Sequence, residues 1–297
     1  EITRDIAHEH SLDVDEKSFL LAMNEHRLAS GGGKAMGIHS GEDAEMYNQL
    51  MQKLRSEGSI GVEGINYDPY QFLETRGKLL AIIEDGQAVN EVYSGSSVSV
   101  VVPATGFYVE SGGQVSDTGV IRDLHRKWEI EIHEMRRPSP GMIVHIGEVT
   151  FGQPKVNDEA EVLVDQTRRK DIMRNHTATH LLHAQLRKVI GEHVHQAGSL
   201  VAPYKLRFDF NHSESISMVQ LEEIERGVNQ VILEDVPVIS TIKTKDQAIL
   251  EGATALFGEK YGDVVRTISI VDRNSESNDG NKISYELCGG THLDHTG

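Results

Sequence analysis

The chain has 297 residues, 38% hydrophobic and 25% charged, enough for two or three domains with cores of their own and typical of a globular protein. A net charge of −17 excludes attraction to nucleic acid over the whole surface and leaves any such contact to local basic patches. No apolar run reaches a membrane span of roughly 18 residues, and the single cysteine, Cys288, excludes an intrachain disulfide and fits a reducing cytosol.

The chain opens on Glu1 rather than Met and reads as a piece of a longer protein. Residues 1–58 read as helical. Phe19, Leu20, Met23 and Leu28 recur at near-helical spacing, and Ser40 and Asp43 form a capping box ahead of Met46, Leu50, Met51 and Leu54, with Gly58 closing the run. Gly31-Gly32-Gly33-Lys34 between the two helices lacks phosphate-loop spacing and reads as a connector. Residues 59–165 change texture. Short strand-like runs at Leu79–Ile83, Val98–Val102, Gly119–Ile121, Trp128–Ile132, Met142–Ile146 and Ala160–Val164 are separated by Asp85-Gly86, Ser94-Gly95 and Pro138-Ser139-Pro140-Gly141. Six short strands at this spacing predict a small antiparallel β-barrel. Arg136-Arg137 and Arg168-Arg169-Lys170 are the basic runs, read either as solvated faces or as nucleic-acid contacts.

From 166 to 297 helices and strands mix. The pattern predicts a helix over Ile172–Ile190 ended by Gly191, strands at His193–Val201 and Lys205–Phe210, and a helix from Met218 to Glu234 opened by Ser217 and Gln220. A strand at Pro237–Ile242 follows, then a helix near Asp246–Leu256 capped by Thr244, and strands at Val264–Val271 and Lys282–Leu287. Asn274 to Asn281 reads as an exposed loop. The fold class is α+β: a helical segment, a small antiparallel barrel, then helices on an antiparallel sheet.

Two ligand pairs stand out. His176 and His180 lie one turn apart on one helix face, and Cys288 and His292 flank a Gly289-Gly290 corner just past the last strand. Three imidazoles and a thiolate suit Zn²⁺, and a metal there would tie the first and last elements of the third region together. Either pair alone is also what a surface helix or a buried, inert cysteine would show.

The stretches His176 to His183, Val194 to Val201, Ala255 to Arg266 and Glu286 to His292 resemble the editing domain of alanyl-tRNA synthetases. Phe107 to Gly119, with Ser111-Gly112-Gly113-Gln114, is similar to the β-barrel that accompanies it, and residues 1–58 resemble the end of the tRNA-recognition helices. The resemblance implies hydrolysis of Ser-tRNA(Ala) and Gly-tRNA(Ala), with tRNA(Ala) as the partner, a cytoplasmic location, and zinc held by His176, His180, Cys288 and His292. It makes Gln196, Thr177 and Cys288 the catalytic candidates, and Gln196, Thr179, Gly112 and Gly113 the substrate-binding ones. The aminoacylation core and the C-terminal part that would make the whole enzyme a homodimer are absent.

Four protein ligands fill a tetrahedral zinc shell, which favours a metal that positions substrate over one that activates water. The alternatives are a free-standing trans-editing deacylase and a non-catalytic zinc-containing tRNA-binding module. A threonyl-tRNA synthetase editing domain fits the Gly-Gly-Gln stretch poorly, and a small-substrate metallohydrolase lacks an H-E-x-x-H base.

Overall fold

A computed structural model describes residues 41–255, 261–272 and 282–297. The helix expected around Phe19 to Leu28, the glycine connector, the Ser40 cap and the 274–281 loop lie outside the described residues. Helix α1 (Gly41–Ser56) ends where Gly58 adopts φ +69° and the Glu57, Gly58 and Ser59 N–H groups donate back to Lys53, Arg55 and Leu54. Its Met51 and Leu54 are buried in the main core.

That core belongs to an eight-stranded antiparallel sheet. Its strands are β2 (Glu74–Lys78), β3 (Ala81–Glu84), β4 (Gln87–Val89), β5 (Ser97–Val101), β7 (Gly119–Asp123), β8 (Glu129–Ser139), β9 (Met142–Phe151) and β10 (Glu159–Val164), in the order β2-β10-β7-β8-β9-β5-β3-β4. A short parallel pair, β1 (Asn66–Tyr67) with β6 (Ala104–Thr105), lies outside it. Alternation aims Ile121, Ile130, Ile132, Val100 and Val162 inward onto Phe107 and Trp128, and each is at most 2% exposed. Burying each such aliphatic side chain contributes about 2 kcal/mol.

All six expected strands are present. The sequence reading missed β2 and β4, whose Glu-Thr-Arg-Gly-Lys and Gln-Ala-Val have no buried residue and therefore no apolar signal. Asp85 and Gly86 both have positive φ, the type I′ geometry that suits a two-residue hairpin between β3 and β4. The expected four-residue turn at Pro138–Gly141 is shorter: β8 runs on to Ser139, which pairs with Met142 around Pro140-Gly141. As for a barrel, no ladder joins β2 to β4. The Leu79-Leu80 link between β2 and β3 instead bonds to both sides of the order, Leu79 N–H donating to Asp158 beside β10 and Leu80 N–H to Val101 on β5.

Helix α2 (Gln166–Val189) begins six residues before its expected start, because Asp165 caps it by accepting from the Arg168 N–H at 3.0 Å. The hairpin β11 (Gln196–Ala202) and β12 (Lys205–Phe210) follows. Helix α3 (Met218–Leu233) carries the expected Ser217/Gln220 capping box. The remaining sheet, β13 (Val238–Thr244), β14 (Val264–Val271) and β15 (Lys282–Leu287), is antiparallel in that order. Between β13 and β14, α4 (Lys245–Leu250) is shorter than expected, since Gly252 at φ +88° ends it. Leu181, Val231, Val236 and Ile270 pack α2 and α3 onto this sheet. The α+β class is therefore observed. Among the described residues no helix is long and apolar enough to cross a membrane.

Candidate metal centre

Helix α2 supplies His176 and His180, whose ring centroids lie 5.4 Å apart. Strand β15 delivers Cys288, and the Gly289-Gly290 corner turns the chain so that His292 faces back. The Cys288 Sγ lies 3.4 Å from His176 Nε2 and 3.3 Å from His292 Nε2, and the ligand atoms of all four residues fall within 4.8 Å of one another. None is more than 8% exposed. The sequence expectation that these two pairs converge is met in the geometry.

Each imidazole is held from behind. The Gln114 Oε1 accepts from His176 Nδ1 at 2.7 Å and from the Thr291 N–H at 2.9 Å. Glu286 Oε2 lies 3.2 Å from His180 Nδ1, and Thr177 Oγ1 lies 3.3 Å from His292 Nδ1. Oxygens beside Nδ1, hydrogen-bonded to it in His176 and His292 and at ion-pair distance in His180, leave the Nε2 lone pairs for the common centre, the arrangement that metal-binding histidines show. The corner itself is pinned by Arg266, which donates to the Cys288 and Gly290 carbonyls at 3.1 and 2.7 Å and stacks on Tyr70, whose hydroxyl donates to the Gly289 carbonyl at 2.7 Å.

Burial pushes the Cys288 thiol up, but the imidazoles of His176, His292 and His180 outweigh it and hold the thiol well below its usual range. Burial lowers His180, yet the Glu286 and Cys288 charges overcome this and raise it to about 10. Burial, with His176 beside it, drives His292 down to about 3. Without a metal the cluster thus holds a thiolate beside a proton on His180. A divalent cation would displace that proton and take the same place between the thiolate and the rings. Donor chemistry and geometry both fit Zn²⁺.

A cavity of about 250 Å³ opens onto the cluster, lined by Tyr108, Gly112, Thr179, Gln196, Ser199 and Arg266 along with the ligands. Gln196 Nε2 donates to Ser199 Oγ at 3.2 Å, and Thr179 Oγ1 donates to the Asn175 carbonyl at 2.7 Å. Of the expected site residues, Gln196, Thr179, Gly112, His176, His180 and Cys288 meet in this cavity. Thr177 does not line it and sits under His292, where its hydroxyl also accepts from the Leu293 N–H at 3.2 Å. Gly113 lies just behind the lining, at φ +83°, where a Cβ would come 2.2 Å from Ser199 Oγ. Gln114 and Glu286 stand inside the sequence motifs, but the sequence reading gave them no role. Tyr70 lies in a loop with no motif to mark it. Arg169, read as part of a basic surface run, is buried on Asp117 and bonds the Pro69 and Gly106 carbonyls at 2.7 Å each.

Helix α1, the large sheet and the start of α2 fall within residues 1–168, which match the family of class II (A) tRNA synthetases. This is more than half of the chain, and the chain belongs to that family. Over its whole length it is 40% identical, across 300 residues, to Alanine--tRNA ligase of Chloroflexus aurantiacus, of which it covers 32%. It is 42% identical across 310 residues to that of Roseiflexus castenholzii, covering 33%, and 40% identical across 297 residues to that of a Chelativorans species, covering 32%. The sequence thus matches a stretch of alanyl-tRNA synthetase and spans about a third of the length of these relatives.

Proposed function

We propose that the chain serves the charging of tRNA(Ala) by correcting it: the cavity hydrolyses the ester of tRNA(Ala) mischarged with serine or glycine, in a cytoplasmic alanyl-tRNA synthetase whose other parts charge the tRNA and make it a homodimer. In this reading 1–58 ends the tRNA-recognition region, 59–165 is the barrel domain and 166–297 the editing domain. The observation that carries it is a small cavity, with Gln196 and Thr179 in its wall, opening onto a buried three-histidine, one-cysteine cluster.

The chemistry asks for such a cavity. A pocket built for alanine rejects serine or glycine by only about 1–3 kcal/mol, so fidelity needs a second sieve. Gln196, with its amide nitrogen on Ser199, keeps its carbonyl oxygen for a seryl hydroxyl. An alanyl group would leave that oxygen unpaired at a cost of about 1–3 kcal/mol. Thr179 and Gly112 shape the wall around the aminoacyl group. Zn²⁺, held by His176, His180, Cys288 and His292, supplies a fixed positive charge at the cavity floor when bound, with four ligands filling its usual shell. Arg266 and Tyr70 hold the ligand corner rigid.

Deacylation of Ser-tRNA(Ala) and Ala-tRNA(Ala) by the wild-type chain and by Cys288→Ala tests this reading. Hydrolysis of the seryl ester well above buffer is expected, with the alanyl ester spared and zinc content and hydrolysis both lost in Cys288→Ala. A wild-type chain that binds tRNA but does not speed hydrolysis sinks the reading and leaves a zinc-containing tRNA-binding module.

A further inference from the structure

Glu286 is not among the four ligand residues, yet it is the carboxylate closest to their chemistry. It sits on β15 two residues before Cys288, and strand alternation therefore turns Ser284, Glu286 and Cys288 to the same side, toward α2. Tyr285 and Leu287 on the other side pack with Ala248, Ala253 and Val265. Glu286 is 6% exposed. A buried carboxylate is costly unless its oxygens are taken up; Ser284 and His183 take up Oε1, and Oε2 stands at ion-pair distance from His180. Ser284 Oγ donates to Oε1 at 3.1 Å, His183 Nδ1 lies 3.0 Å from Oε1, and His180 Nδ1 lies 3.2 Å from Oε2.

His180 and His183 stand at i and i+3 on α2, so both rings reach the same carboxylate from one helix face. His183 is not one of the four residues of the cluster. We propose that Glu286 is the positioning residue that fixes His180 in its metal-binding form, Nδ1–H toward the carboxylate and Nε2 toward the metal, and that His183 and Ser284 brace Glu286 for this task. The proposal rests on reading the cluster as a metal site. An ionised carboxylate can only accept, so any neutral ring beside it must carry its proton on Nδ1. Without that acceptor, His180 is free to take the other tautomer or to swing its Nε2 off the centre.

Zinc affinity of the full 297-residue chain, measured by competition with a chromogenic chelator, tests this in wild type, Glu286→Leu and Glu286→Gln. The wild type is expected to bind one zinc. Glu286→Leu should bind it about 10- to 100-fold more weakly, and Glu286→Gln, which keeps one acceptor oxygen, should fall between the two. A folded leucine variant with wild-type affinity, or a glutamine variant as weak as the leucine one, overturns the proposal. Long-range ¹⁵N–¹H spectra of the zinc-loaded wild type need no variant to fold. They should show His180 metallated at Nε2 with a slowly exchanging Nδ1–H, and a ring metallated at Nδ1, or an Nδ1–H exchanging freely with solvent, overturns it. A wild type that binds no zinc overturns the metal reading itself, a separate outcome from loss of binding in the variants alone.

Discussion

Gly289 and Gly290 are adjacent, yet the site treats them differently. A Cβ on Gly290 would stand 1.9 Å from His176 Cε1 and 2.8 Å from Gln114 Oε1, whereas one on Gly289 meets nothing nearer than Tyr70 Oη at 4.0 Å. The Gly290 position is a close approach of backbone to a ligand ring that is itself locked onto Gln114. Gly290→Ala should therefore push the His176 ring away from Cys288 and weaken zinc binding by 10-fold or more, on the scale of losing a supporting contact. Gly289→Ala should leave affinity within about 2-fold. Chelator competition on the two variants checks this, and equal affinities would show that the corner yields without disturbing the ring. At this scale the sequence was readable only in part. The four candidate ligands are read from residue type and spacing. Gln114 acts through a contact 62 positions along the chain from His176, and no local pattern marks such a contact.

Elements with a strong periodic or capping signal, such as β10, β12, α3 and β14, match their sequence expectation within a residue or two. The misses share a cause: β2 and β4 are held by ladder bonds at the ends of the sheet order rather than by apolar faces, and the start of α2 depends on a cap, Asp165, set outside the apolar pattern. Strand β9 carries a different kind of exception, the fully buried His145. Its Nε2 lies 2.8 Å from Thr105 Oγ1 and its ring meets Phe107 edge-on at 5.2 Å. Burial lowers it from 6.5 to about 4. Since the folded value lies below the unfolded one, the unfolded chain takes up the proton first as pH falls. The contribution of His145 is complete above pH 6.5 and drains away toward pH 4, by about 3 kcal/mol in all. Urea unfolding of wild type and His145→Gln should thus give curves whose separation narrows between pH 7 and pH 4. A separation constant over that range would mean that the ring does not titrate in this window.

Across the whole molecule, the ligand cluster draws on both sheets. The large-sheet side contributes Gln114, whose backbone also bridges to Val201 on β11, and the three-stranded side contributes Glu286 and Cys288, with α2 running between them. What fixes α2 against the large-sheet side is an ion pair deep in the protein. Arg169 is 3% exposed and Asp117 is 1% exposed. Beyond their mutual contact, Arg169 donates to two carbonyls, and Asp117 accepts from the Tyr108 N–H at 2.6 Å. Such a pair adds little over an apolar substitute, but breaking one side strands a charge, at roughly 3–5 kcal/mol. Arg169→Met should lose about that much in urea unfolding, with a fall in Tm on the order of 10 °C. The double variant Arg169→Met with Asp117→Asn should recover most of the loss, because the asparagine oxygen still accepts from Tyr108 while no buried charge remains. Arg169→Met within 1 kcal/mol of wild type would mean that water reaches Asp117 once the guanidinium is gone. A double variant no better than the single one would mean that the guanidinium holds α2 by its two carbonyl bonds rather than by charge.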